Sequence, residues 1–359
     1  MNRIFNFSAG PAILPVPVLQ EASEAVLELN GSGMSILEVS HRGKDYEAIH
    51  FDTAARILRV LGLAPEEYSV LFLGGGASTQ FATLPANFLG KGQVADYVHT
   101  GEWSKRAINE AKFFGNANVS ASSEDTNFSY IPKALKLSDG AEYLHITTNN
   151  TIEGTEYHSL PETGGAPLIA DASSDIFAQD LDYSKFTMLY AGAQKNAGPA
   201  GVTLVIARKE YLAKANDGIP TIFSYKTHAK SDSLYNTPPT FSVYVVGLVM
   251  KWIEALGGLK TMEALNQKKA ALIYDSLDAF PEFYDPAVTE KADRSLMNVT
   301  FRLKHTELDK EFLAGTVARG MDGLKGHRAV GGFRASIYNA FPIEGCEALA
   351  TYLHEFAKR

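Results

Sequence analysis

Short apolar runs separated by stretches of helical periodicity recur along the N-terminal part of the chain, and no other feature constrains the fold as strongly. The run Tyr68-Ser69-Val70-Leu71-Phe72-Leu73 ends in Gly74-Gly75-Gly76, after which Ala77 to Leu89 has helical spacing. Similar runs occupy Gln93 to Val98, Tyr143 to Thr147, Pro167 to Ala170, Thr187 to Tyr190 and Val202 to Ala207. Strands of this kind have no polar face to turn to water, so helices must cover both sides, as in a largely parallel α/β sheet. Upstream, Val18, Leu19, Ala22, Val26 and Leu29 follow a helical period that stops at Asn30-Gly31, and Asp45 to Leu61 does the same before Gly62.

The pattern changes towards the C-terminus. A helix from Val243 runs to Gly257-Gly258, and another spans Thr261 to Leu277. A strand near Leu296 to Leu303, a helix near Leu308 to Arg319, a strand near Phe333 to Tyr338 and a closing helix then suggest a smaller α+β unit. The expected division is an N-terminal arm at 1–15, beginning the Pro/Gly-rich stretch Ser8 to Pro17, a large domain at 16–258 and a small C-terminal domain at 259–359. A length of 359 residues has room for both cores, and the single Cys346 cannot form an internal disulfide. With 33 Lys plus Arg against 41 Asp plus Glu, the net charge of −8 disfavours wholesale binding of nucleic acid. The start Met1-Asn2-Arg3-Ile4-Phe5-Asn6 has no signal-like apolar stretch and the run Val243 to Met250 meets Lys251, so a cytoplasmic protein without membrane contact is expected. The nine histidines form no paired ligand motif, and no metal is expected.

Two residues stand out for chemistry. Lys195 lies in Gly192-Ala193-Gln194-Lys195-Asn196-Ala197-Gly198, where small neighbours leave room for a planar ligand. Asp171 follows the apolar run Pro167-Leu168-Ile169-Ala170, at the C-terminal edge of a central strand, where open α/β sheets bind ligands. Alone, the first is an ordinary loop and the second a turn or cap residue. Together they suit a pyridoxal phosphate site, the lysine binding the aldehyde and the carboxylate keeping the pyridine nitrogen protonated. The third component is Gly74-Gly75-Gly76-Ala77-Ser78-Thr79, which opens a helix and offers backbone N–H groups to a phosphate, though a tight turn needs the same glycines. It lacks the endings of nucleotide P-loops and dinucleotide folds. Trp103, placed between a strand and a helix, can stack on a ring or simply pack, and Thr151 can donate a hydroxyl or serve a turn.

Along the chain, in order, stand Phe5-Asn6-Phe7-Ser8-Ala9-Gly10-Pro11, Ser40-His41-Arg42-Gly43, Gly192-Ala193-Gln194-Lys195-Asn196, Asn236-Thr237-Pro238-Pro239, Gly326-His327-Arg328 and Arg334-Ala335-Ser336. In this order the motifs resemble the phosphoserine aminotransferase family of class V aminotransferases over nearly the whole chain. The resemblance implies a type I pyridoxal phosphate fold and a homodimer with shared sites. It also implies a transaminase of serine biosynthesis that converts 3-phosphohydroxypyruvate and L-glutamate to O-phospho-L-serine and 2-oxoglutarate, and the role in pyridoxine biosynthesis that bacterial members often have. By the same resemblance Lys195 is the Schiff-base lysine, Asp171 the pyridinium partner and Trp103 the stacking ring. Gly76, Ala77, Ser78 and Gln194 hold the cofactor phosphate, Thr151 touches the ring oxygen, and Asn236 and Thr237 reach the phosphate from the other subunit. Arg334 clamps the substrate α-carboxylate, while His41, Arg42, His327 and Arg328 receive the substrate phosphate or the glutamate side chain. Some bacterial members carry an arginine in the glycine loop, and this chain has none there.

Three other readings compete. A class V enzyme acting on alanine and glyoxylate has little use for four extra cations around the substrate. A cysteine desulfurase needs a nucleophilic cysteine, and Cys346 falls in the closing helix. A non-catalytic pyridoxal phosphate protein leaves the pairing of Lys195 with Asp171 without a purpose.

Overall fold

The computed structural model of the chain describes residues 3–328 and 330–358. Met1 and Asn2 of the expected arm, and Ala329 and Arg359 of the expected small domain, lie outside the described residues. In chain order the strands are β1 (Phe5–Asn6), β2 (Tyr68–Leu73), β3 (Val94–His99), β4 (Asn116–Ser122), β5 (Leu144–Thr147), β6 (Leu168–Asp171), β7 (Met188–Gly192), β8 (Thr203–Arg208), β9 (Tyr284–Pro286), β10 (Asn298–Leu303), β11 (Met321–Asp322) and β12 (Phe333–Ser336). The helices are α1 (Val16–Leu27), α2 (Lys44–Val60), α3 (Gly76–Phe88), α4 (Glu102–Ala111), α5 (Lys209–Leu212), α6 (Tyr225–Lys230), α7 (Thr240–Ala255), α8 (Leu259–Asp278), α9 (Asp309–Ala318) and α10 (Ile343–Ala357).

Seven strands form the main sheet in the order β2-β8-β7-β6-β5-β3-β4. Every neighbouring pair is parallel except the two that β8 makes, with β7 and with β2. The apolar runs therefore mark the sheet as expected, and β8 is its one reversed strand. That reversal permits a short link, because antiparallel neighbours can be joined by a short connection, whereas parallel ones need a crossover. Residues 193–202 make this short connection, which carries Lys195. The edge strand β4 reads Asn116-Ala117-Asn118-Val119-Ser120-Ala121-Ser122, too polar to be recognised as a buried strand from sequence, because it is covered less completely than its neighbours.

Helices α1, α2 and α7 cover one face of the sheet, where Tyr46, Ile57, Ile146, Ala170, Leu204, Val246 and Met250 are buried together. Helices α3 and α4 cover the other, with Phe81, Leu84, Ile108, Tyr143, Ile169 and Tyr190. A second core lies around the antiparallel sheet β12-β10-β9, where Ile273 and Leu277 of α8, Phe312 of α9 and Leu349, Leu353 and Phe356 of α10 pack on Val299, Phe301 and Phe333. Phe7 and Ile13 from the N-terminal end join this core, and β1 pairs in parallel with β11. The lone Cys346 is buried in it.

A polar seam joins the two parts. The Asn149 amide donates to Ser174 Oγ and Asn298 Oδ1, each at 2.8 Å, and Ser295 Oγ donates to Asn149 Oδ1. The Asn339 backbone N–H donates to Asn196 Oδ1 at 3.0 Å, and its side-chain amide donates to the Phe177 carbonyl at 2.9 Å. Within the second part, the buried Lys269 ammonium of α8 donates to the carbonyls of Ile337 and Tyr338 at 2.9 and 2.7 Å. Buried groups of this kind cost most when one partner is removed. The Asn266 amide of α8 bridges the Ala178 carbonyl at 3.1 Å and Asn339 Oδ1 at 2.9 Å. Replacement by alanine strands both acceptors, so Asn266→Ala is expected to cost about 2–4 kcal/mol, read as a lower urea midpoint at unchanged m-value.

Candidate active site

The strands β2, β3, β5 and β6 all end on one side of the sheet, and the segments that follow them enclose a cavity of about 220 Å³. Its lining includes Gly76, Ala77, Ser78, Trp103, Thr151, Asp171, Gln194 and Lys195. Eight of the residues singled out from sequence therefore meet in one place although they are scattered over the chain.

Asp171 is the last residue of β6, paired laterally with Thr147 of β5 and Tyr190 of β7. The central position buries it, and burial is the main reason its carboxyl lies above the usual aspartate range. Ser173 holds it in place: its backbone N–H and hydroxyl donate to Asp171 Oδ1 at 3.0 and 2.6 Å. The sequence Asp171-Ala172-Ser173 carries that signal, an Asp bonded to a backbone N–H two residues on.

Lys195 extends from the short connection, and its ammonium donates to Thr151 Oγ1 at 2.6 Å. Its Nζ lies 5.8 Å from the centre of the Trp103 indole. Burial draws its pKa down to about 8; Asp171 opposes that shift and Arg334 adds to it. The connection is itself buttressed by the N-terminal segment, where Ala12 N–H donates to the Gln194 carbonyl at 2.8 Å.

The glycine loop opens α3 with Gly75 at a φ of 89° and Gly76 at 67°. A Cβ on Gly75 would fall 1.9 Å from Thr79 Oγ1, so the turn requires glycine there. The first amides of a helix lack intrahelical partners, and no side chain caps this one, leaving a positive end directed at the cavity rim.

Trp103 lies inside the first turn of α4 rather than ahead of the helix, and its indole Nε1 is buried without a partner. The Arg106 guanidinium sits 4.8 Å from its centre. Thr147, Asn149, Ser173 and Ser174 also line the cavity. In sequence they carry no signal of their own, because small polar residues at strand ends resemble any turn.

Arg334 on β12 donates to the Thr151 carbonyl at 3.1 Å, which brings a cation from the second core to the same loop. His327 is held below its ordinary pKa, first by partial burial and then by Arg334 and Arg328 beside it. His41 and Arg42, between Val39 and α2, do not line this cavity; His41 Nε2 is buried without a partner and Arg42 is exposed. Asn236 and Thr237 are exposed and line an adjoining cleft of about 450 Å³, which includes Gly74, Gly75 and Thr79 of the glycine loop. Among the described residues no cluster of His, Cys, Asp and Glu suits a metal ion, and no single helix is long and apolar enough to cross a membrane.

Residues 4–349 match the aminotransferase class-V family. The chain is 52% identical to the phosphoserine aminotransferase of Desulfosudis oleivorans, covering 99% of each chain. It is 54% identical to that of Desulfatibacillum aliphaticivorans, over 100% of this chain and 99% of the other. Among solved structures it is similar to phosphoserine aminotransferase from Bacillus circulans subsp. alkalophilus, with a TM-score of 0.96, 50% identity and 99% of each chain covered. A pyridoxal-phosphate-bound phosphoserine aminotransferase from Trichomonas vaginalis superimposes with a TM-score of 0.92 at 37% identity, over 98% of this chain and 100% of the other.

Since the Asp171 charge favours the ammonium form of Lys195, Asp171→Asn is expected to move the lysine titration below about 8. The pH dependence of Lys195 carbamylation by cyanate, followed by mass spectrometry, measures the midpoint in both proteins.

Proposed function

The chain belongs to the class-V aminotransferase family, among its phosphoserine aminotransferases, and from that membership we propose that the cavity around Lys195 moves an amino group from L-glutamate to 3-phosphohydroxypyruvate, giving O-phospho-L-serine and 2-oxoglutarate. The cofactor is pyridoxal 5′-phosphate. The cavity fits it on its own chemistry: a desolvated amine, a buried carboxylate, an uncapped helix N-terminus and a partnerless indole N–H all border one space. When bound, pyridoxal phosphate supplies an aldehyde that captures amines and a ring that draws off electrons from the substrate α-carbon.

The observation that carries the reading is the Lys195 amine, at about 8 beside Thr151 and in the same cavity as Asp171. Relative to a lysine in water, that value raises the free-amine fraction at neutral pH by roughly two orders of magnitude. Lys195 Nζ is thereby able to hold the aldehyde between turnovers and, once released, to take the proton from the substrate α-carbon and return it. Asp171 would hold a proton on the ring nitrogen, Trp103 would stack on the ring and Thr151 would hydrogen-bond its oxygen. Gly76, Ala77, Ser78 and Gln194 would hold the phosphate. Arg334 clamps the α-carboxylate of either substrate, since its planar fork matches a carboxylate in two bonds.

His327 and Arg328, with His41 and Arg42, receive the substrate phosphate or the glutamate side-chain carboxylate. His41 and Arg42 do not line the cavity of their own chain, and Asn236 and Thr237 lie exposed on the adjoining cleft, so the reading includes a homodimer in which a second copy completes each site. Exposed Ile222 and Phe223 on that cleft support an apolar contact there. The same reading divides the chain at 1–15, 16–258 and 259–359. It places the enzyme in the cytoplasm and in serine biosynthesis, with a further role in pyridoxine biosynthesis. Cysteine desulfuration is disfavoured by Cys346, whose thiol is pushed by burial up to about 12.

Lys195→Ala is expected to lower kcat by at least about 10⁴-fold while circular dichroism is unchanged. Arg334→Ala removes both bonds of the clamp and is expected to raise KM for both substrates at least about 10–100-fold, the figure for one charged hydrogen bond. A two-substrate assay separates substrate from cofactor assignment, because equal kcat/KM on phosphorylated and unphosphorylated hydroxypyruvate would remove the phosphate site while sparing Lys195.

A further inference from the structure

Within helix α4, Ser104 Oγ accepts the N-cap Gly101 N–H at 3.0 Å, but the first helical amide, that of Glu102, finds no partner in its own helix. Its N-cap position is Gly101, and the space a side chain would take there is filled by another segment: a Cβ on Gly101 would lie 2.5 Å from Cδ and Oε2 of Glu153. Glu153 Oε1 accepts the Glu102 N–H at 2.8 Å. Glu153 belongs to the loop after β5 and is fixed from the opposite side, its carbonyl accepting Thr300 Oγ1 of β10 at 2.8 Å. Two residues before it, Thr151 accepts Lys195 Nζ on its hydroxyl and Arg334 on its carbonyl. Glu153 Oε2 is buried and has no partner.

We propose that Glu153 is a positioning residue for the amino transfer, a borrowed helix cap that holds Trp103 over the cavity and sets the charge facing Arg334. This rests on the reading of Trp103 as the ring against the cofactor. The next residue after the bonded Glu102 amide is Trp103, so any slip of the first turn of α4 moves the indole. Glu102 of α4 and Arg334 of β12 face the carboxyl, and Asp285 of β9 and Arg302 of β10 line the same cavity of about 520 Å³ as Glu153. Burial, aided by Glu102, pushes the acid up to about 7 against the pull of the Glu102 N–H and Arg334. Above that pH the carboxylate takes a charge-assisted bond at the positive end of α4 and offsets part of the Arg334 charge; below it, the neutral acid leaves that charge to the substrate.

The test uses the cofactor-loaded protein with Trp252→Phe, which leaves Trp103 as the only indole of the chain's two. Its emission is followed between about pH 5.5 and 9, a range spanning the shifted carboxyl. The expected result is a transition with a midpoint near 7 that E153Q abolishes. Because the glutamine oxygen still accepts the Glu102 N–H, E153Q is expected to hold the cofactor within about twofold of the parent, whereas E153A red-shifts the emission and weakens cofactor binding about tenfold. Persistence of the transition in E153Q overturns the proposal, as does an E153A protein indistinguishable from E153Q. Should E153A fail to fold, the E153Q titration decides. Unchanged cofactor affinity in Trp103→Leu would instead refute the ring assignment, leaving the emission titration of the Trp103 protein to report the cap alone.

Discussion

The site depends on an amine taken out of water. Lys195 stands on the short connection between β7 and β8, and that connection is short because β8 runs against its neighbours. A parallel β8 would need a crossover of a dozen or more residues, and the lysine would ride on a longer and looser segment. The reversal of one strand thus fixes the lysine beside β6, where Asp171 ends, while burial draws the amine towards neutral pH.

Around that amine the fold assembles parts with little sequence proximity. Loops after β2, β3, β5 and β6 all open on the same edge, as the strand directions of a parallel sheet dictate. The second core adds Arg334 through β12, and the seam of Asn149, Asn196, Asn266, Asn298 and Asn339 fastens that core to the Lys195 connection. Asn196 is adjacent to the lysine and binds Asn339, so the Lys195 connection and the second core share one hydrogen-bond network. The net charge of −8 makes such convergence necessary: anionic substrates need a local group of cations that the whole molecule does not provide.

Much of this was legible in the chain. The apolar runs marked β2, β3, β5, β6, β7 and β8, and the glycine triplet marked the start of α3, since a parallel sheet and an anion-binding turn both demand particular residue types. Eight candidates, among them Lys195, Asp171 and Trp103, line one cavity. Three kinds of feature escaped. The polar edge strand β4 has too little burial to enforce an apolar pattern, and the two-residue β1 and β11 are too short to show a period. The reversal of β8 leaves no mark, because a strand buried on both faces looks the same in either direction.

Glu153 shows the limit most clearly. In sequence it is one more charged residue near Thr151, and Gly101 is one more glycine before a helix. Only folding brings the carboxylate into the space that the missing side chain leaves open and onto the Glu102 amide, 51 residues away along the chain. Periodicity and turn chemistry are local, so the chain alone marks the longer buried strands, the longer helices and the residue types that stand at their ends. The tertiary structure decided which ends meet, how far each charge is desolvated and which group caps which helix, because those follow from strand direction and packing between distant segments.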